Sequence, residues 1–147
     1  TLLQNSTVDT VLFGKHGTLS AVSAVTSALK QLAADEEVTL AGYSGLMLPV
    51  MEDLILSERA KTQPPLYTMR DLLVFSTICG VGLDTVPVPG DVTAEQIARV
   101  YLEVGTLAFR LNKPLSCRLL PMTGLKAGDE TDVDSPYLCN TRVFAMN

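Results

Sequence analysis

Arg118 is the residue whose setting says most about chemistry. It sits inside the short apolar stretch Ser116-Cys117-Arg118-Leu119-Leu120, and an arginine is almost never buried without a partner. Alternation along a strand puts Ser116, Arg118 and Leu120 on one face. Two chemistries fit. One is a guanidinium fork for a carboxylate or phosphate ligand. The other is an ion pair with an internal acid such as Asp84 or Asp129. Asp84 follows Gly80 and Gly82 next to a strand-like run, which suits a general base, a metal ligand or the partner of Arg118. A cap or turn carboxylate is the plain alternative. Cys79 abuts Gly80 at the end of a helical pattern. A thiol in such a loop is a nucleophile where its surroundings favour the thiolate, and an inert cysteine otherwise. The single histidine, His16, is too far along the chain to argue for a dyad.

A second group of candidates lies in loops. In parallel α/β folds, ligands sit beyond the carboxyl ends of the strands. Three post-strand loops are readable: Tyr43-Ser44-Gly45, Pro87 to Asp91, and Pro121 to Asp129. If the strands are parallel neighbours, these loops share one rim. On this reading Arg118 holds a small anion and Lys126 adds charge. Asp84 and Cys79 are the reactive candidates, and Asp129 lines the rim. Gly90, Gly124 and Gly128 let backbone approach the ligand. A magnesium site needs several of Asp84, Asp91, Asp129 and Asp132 to converge, since that ion prefers oxygen ligands. The run Asp129, Glu130, Asp132, Asp134 lacks the glycine and distal glutamate of a calcium loop and reads as solvated. Gly80-Val81-Gly82 is only a fragment of a phosphate loop, without the dinucleotide pattern or a P-loop lysine. Gly14-Lys15-His16-Gly17 precedes a helix, where an anion site and an ordinary turn both fit.

The elements that must position these residues follow from periodicity. Leu19, Val22, Val25, Leu29 and Leu32 recur at helical spacing and predict a helix over 18–33, with Thr18 as its cap. Val38 to Gly42 reads as a buried strand. Pro49 to Ala60 reads as a helix with proline in its first turn. Thr68 caps a helix running to about Thr77. Leu83 to Val86 is strand-like, and Pro87-Val88-Pro89-Gly90-Asp91 reads as a stiff turn. Thr93 and Gln96 form a capping box. They open a helix whose apolar face is Ile97, Val100, Tyr101, Val104, Leu107, Ala108 and Leu111, ended by Asn112-Lys113-Pro114. Ser116 to Leu120 is the third strand, and Tyr137 to Phe144 is expected to be a fourth. Strands separated by helices predict an α/β fold with parallel strands.

Composition narrows the classes. The chain has 147 residues, 47% hydrophobic and 18% charged, with 16 acids against 11 bases. That hydrophobicity excludes a disordered chain. The formal charge of −5 argues against nucleic acid as a partner. No apolar run reaches the roughly 18 residues of a membrane span. Three cysteines without a paired spacing predict reduced thiols and a cytoplasmic location.

The segments Cys79 to Asp91, Arg110 to Leu120, Lys126 to Asp129 and Ser135 to Val143, together with Tyr43-Ser-Gly-Leu and Pro49 to Asp53, resemble one family. It is the uncharacterised domain-of-unknown-function seven-eleven family, and the resemblance runs from about Gly14 to Val143. It implies a fold related to the pyruvate formate-lyase-like α/β barrels. Family members are longer than this chain, so the resemblance implies that residues 1–147 are a single C-terminal fragment of a larger barrel domain. Such a piece is expected to associate with its N-terminal portion or to form homo-oligomers. No glycyl radical is expected, because the end Arg142-Val-Phe-Ala-Met-Asn147 lacks the radical glycine. Two functions stand side by side: binding or turnover of a small anionic metabolite, and a non-catalytic structural or regulatory subunit.

Overall fold

The structure is a computed structural model and describes residues 13–35, 38–39 and 45–146. The elements run α1 (Thr18–Ala33), α2 (Leu54–Lys61), α3 (Met69–Ser76), β1 (Gly82–Pro89), α4 (Ala94–Leu111) and β2 (Ser116–Met122). β1 and β2 are parallel neighbours joined through α4, the βα-β crossover that alternating apolar strands and helices predict. Two capping boxes open helices. Thr68 and Asp71 do so for α3, and Thr93 and Gln96 for α4, each satisfying two backbone donors that the first turn leaves free.

β1 is the buried strand. Every residue from Gly82 to Val88 is buried, because β1 is flanked on both edges. β2 lies along one edge. Along the other, Val50 N–H donates to Asp84 O at 3.0 Å and Phe144 N–H donates to Pro87 O at 2.9 Å. This explains why β1 is longer than expected and runs through Pro87 and Pro89. In a strand, a residue's N–H and C=O point to the same edge. The carbonyl of Pro87 faces Phe144, so its missing N–H costs the ladder to β2 nothing.

Beneath β1 lies an aromatic cluster. Phe13 meets Tyr67 with centroids 5.2 Å apart and Phe75 at 5.3 Å, and Tyr67 meets Phe144 at 5.6 Å. Val22, Leu83, Val86, Val88, Val100 and Val104 complete the core. The Tyr67 hydroxyl donates to Leu56 O at 2.8 Å, and burial raises its pKa above the ordinary phenol value.

Four expectations are corrected. Gly17, not Thr18, is the N-cap of α1, and Thr18 is buried with its hydroxyl accepting from Gly14 N–H. α2 begins at Leu54 rather than Pro49, because Asp53 caps it by accepting from Leu56 N–H at 2.9 Å. Pro49 instead bridges Asp84 beside β1. Residues 137–144 form no strand. Asn140 binds the backbone of Val133, Thr141 Oγ1 donates to Ser57 O and Cys139 N–H donates to Met51 O, so pairing in this segment shrinks to an isolated antiparallel bridge between Arg142 and Glu130 and the edge bond from Phe144 to β1. Val38 and Thr39 are not in a strand. The rest of the expected strand Val38 to Gly42 that begins at Leu40 lies outside the described residues, as do Tyr43 and Ser44 of the first loop.

Candidate functional site

The ladder between β1 and β2 is regular except at one point. Leu83 pairs with Cys117 and Val86 with Leu119, so Asp84 and Thr85 together stand opposite Arg118. This is a β-bulge, a feature that re-aims side chains. Thr85 has φ of 44°, a left-handed conformation that a β-branched residue adopts only under constraint. The constraint comes from the neighbouring segment. Met51 N–H donates to Thr85 Oγ1 at 3.3 Å, and Val50 N–H donates to Asp84 O.

The bulge places a buried carboxylate against the guanidinium. Arg118 Nε donates to Asp84 Oδ1, and Arg118 Nη2 donates to Glu52 Oε1 at 2.9 Å. Asp84 is 1% exposed, whereas the Arg118 side chain is 52% exposed. The hydrogen bond to Asp84 holds the guanidinium still more firmly protonated, against a smaller opposing effect of burial. Asp84 Oδ2 is buried and has no hydrogen-bond partner among the described residues. Two of the five guanidinium N–H donors are thereby engaged. The Nη1 and Nη2 ends keep three, with no protein acceptor among the described residues.

The other sequence-derived candidates lie elsewhere. Gly90, Gly124, Lys126, Gly128 and Asp129 cluster at the carboxyl ends of the strands, where Gly90 N–H donates to Leu125 O at 3.0 Å. Arg118 stands four residues back from Met122, about 13 Å along the strand at roughly 3.3 Å per residue. Gly90 is needed for close packing, since a Cβ there would lie 2.3 Å from Met122 O. Gly124 faces open space. The Asp129 carboxylate accepts from Lys126 N–H at 2.8 Å and so closes its own turn, while Lys126 is exposed. Cys79 is 1% exposed in the core, and its sulfur accepts from Gly82 N–H at 3.3 Å. Its carbonyl and that of Thr77 accept from Lys113 Nζ at 2.8 and 3.0 Å. Cys117, next to Arg118, is held as a thiol, because burial pushes its pKa up to about 11.

The four acids of the magnesium reading do not assemble. Asp84 is committed to Arg118, Asp129 to its own turn, and Asp91 and Asp132 are exposed. Among the described residues no three histidine, cysteine, aspartate or glutamate side chains are grouped to hold a metal ion. Gly80-Val81-Gly82 makes backbone contacts: a Cβ on Gly80 would lie 2.7 Å from the Cα of Gly45. Glu52 is the member of the Arg118 cluster that sequence reasoning missed. Periodicity placed it on a helix, whereas it belongs to the turn that follows the bridge at Pro49.

The bulge, with Glu52, Asp84 and Arg118, lies within the stretch of the chain that matches a known family. The family described as Uncharacterised ACR (DUF711) matches residues 5–134. The chain belongs to this family. A UPF0210 protein of Pyrobaculum arsenaticum is 34% identical over 124 residues, covering 84% of this chain and 27% of that relative. A UPF0210 protein of Leuconostoc mesenteroides is 32% identical over 119 residues, covering 81% and 26%. One from Listeria monocytogenes is 33% identical over 118 residues, covering 80% and 26%. The chain thus spans about a quarter of the length of these UPF0210 relatives. No solved structure matches it. Among the described residues no helix is long and apolar enough to cross a membrane.

Proposed function

We propose that this chain contributes a binding site for a small anionic metabolite, centred on Arg118. The observation that carries the reading is a guanidinium fixed on one side and open on the other. Asp84 and Glu52 orient it, and three N–H donors on Nη1 and Nη2 are left unused by both carboxylates. That fork suits the two oxygens of a carboxylate or phosphate. One guanidinium against two carboxylates leaves the cluster with a net negative charge. The anion is therefore held by directional hydrogen bonds and not by the local field.

Binding of acetate and inorganic phosphate, followed by calorimetry in the wild-type chain and variants, tests this. Arg118→Lys keeps the charge but loses the fork, and should weaken binding by about tenfold. Glu52→Gln removes a repelling charge and should strengthen it. Binding that ignores both substitutions in folded protein refutes the site.

A second reading is favoured by the burial of Asp84: the cluster locks the bulge and serves structure alone. Under that reading neither anion binds at Arg118, and Arg118→Ala costs about 1–3 kcal/mol of stability by leaving the buried Asp84 carboxylate without its half-exposed partner. In either case the parallel β1–α4–β2 unit is proposed to be one portion of a larger α/β barrel of the pyruvate formate-lyase type. The crossover topology and the quarter-length match to the relatives support this.

A further inference from the structure

A cavity of about 330 Å³ opens on the side of α3, within the size range of small-molecule sites, about 300–1,000 Å³. Its walls include Ala60, Met69, Val143 and Phe144, which are apolar, and its charged lining residues are Arg70 and Arg142. No aspartate or glutamate lines it, in a chain with 16 acids against 11 bases. We infer that this cleft binds a small organic anion, with a carboxylate or phosphate head between Arg70 and Arg142 and an apolar body against Met69, Val143 and Phe144.

The two arginines support this by what they lack. The ion pairs among the described residues involve Lys61, Arg99 and Arg118; neither cleft arginine has one. Arg142 donates only to the neutral Gln63, through Nη1 at 3.1 Å. Arg70 has no side-chain hydrogen bond among the described residues. It is the second residue of α3, where the positive end of the helix dipole disfavours a cation. The capping box already satisfies that turn through Thr68 and Asp71. Arg70 thus has no ion-pair or hydrogen-bond partner in the helix among the described residues, and its charge is available to the cavity that it lines.

The backbone opposite α3 is rigid. Gly128 N–H donates to Val143 O at 2.9 Å, Val143 N–H donates to Asp129 O at 2.8 Å, and Thr131 N–H donates to Thr141 O at 2.8 Å. Arg142 is thus fixed between two strapped residues. Gly128 has φ of 99°, and a Cβ there would lie 3.3 Å from Arg142 Nη2. The glycine gives the guanidinium its room as well as making the turn. This cleft differs from the β2 site in charge. Arg118 faces two carboxylates, while no carboxylate lines the cleft that holds Arg70 and Arg142.

Calorimetric titration with phenyl phosphate and benzoate, beside inorganic phosphate and benzyl alcohol, tests the inference. Both organic anions should bind, and phenyl phosphate about tenfold or more tighter than inorganic phosphate, which leaves the apolar walls unused. Arg142→Gln and Arg70→Gln should each weaken phenyl phosphate about tenfold, through loss of a charge-assisted hydrogen bond. The double variant should bind phenyl phosphate no more tightly than inorganic phosphate, because only the β2 site then remains. Both arginines are at least partly exposed, so the variants should keep the wild-type circular dichroism. Arg118→Lys, which removes the fork of the β2 site but keeps a cation beside the buried Asp84, should leave phenyl phosphate binding at this cleft in place, so the two sites fail independently. No binding of either organic anion by the wild-type chain at millimolar concentration overturns the inference. So does unchanged affinity in the folded double variant.

Discussion

At the scale of single residues, position 85 is the costly one. A β-branched residue in the left-handed region costs on the order of 1–3 kcal/mol, and Thr85 is held there by its bond from Met51 N–H. Thr85→Val keeps the shape and the branching but removes the acceptor. Met51 is fully buried, so its N–H would be left unsatisfied. Chemical denaturation should show a loss of about 1–3 kcal/mol at an unchanged denaturant slope. An unaltered midpoint would mean that the bulge stands without this bond. Arg118 was legible from sequence as an arginine in need of a partner, and Asp84 was among the named acids. Glu52 was not legible, because only the course of the chain past Pro49 brings it to β2.

At the scale of elements, the helices with capping boxes are those the sequence specifies most fully. Thr93 and Gln96 satisfy each other's backbone donors within four residues, so no distant contact is needed to start α4. Thr93→Ala should cost about 0.5–2 kcal/mol, read as a lower melting temperature with the helix content of the native state retained. A change within error would show that packing of Val100 and Val104 alone sets the start of α4. The strands behaved differently. β2 was legible as a strand, but β1 extends through two prolines that locally read as a turn. The segment 137–144 has strand-like composition and yet forms no strand. Pairing decides a strand, and the partner's identity is not written in the strand itself.

At the scale of the whole molecule, α4 is apolar on more than one face. Val100 and Val104 are buried, while Leu102 is 71% and Phe109 85% exposed. Large exposed apolar side chains that lie seven positions apart on a helix form a patch prone to association. Replacing Leu102 with Glu and Phe109 with Lys should change stability by less than about 0.5 kcal/mol per site. It should also narrow the size distribution in analytical ultracentrifugation. A large drop in stability would show that these side chains are packed within the chain in solution.

Local information was sufficient for α1, α3 and α4, and for the presence of β2. Helical periodicity and capping act over three or four residues, which a sequence displays directly. The α/β class followed from the alternation of those helices with short apolar runs. What needed the folded chain was every long-range pairing. Pro87 is tolerated within β1 because Phe144 lies on its free edge, and Asp53 rather than Pro49 starts α2 because Pro49 bridges Asp84. The three charges of the Arg118 cluster come from positions 52, 84 and 118, and the cleft at α3 joins position 70 to position 142. Residues so far apart in the chain meet only when the core closes, so no spacing rule could have announced them.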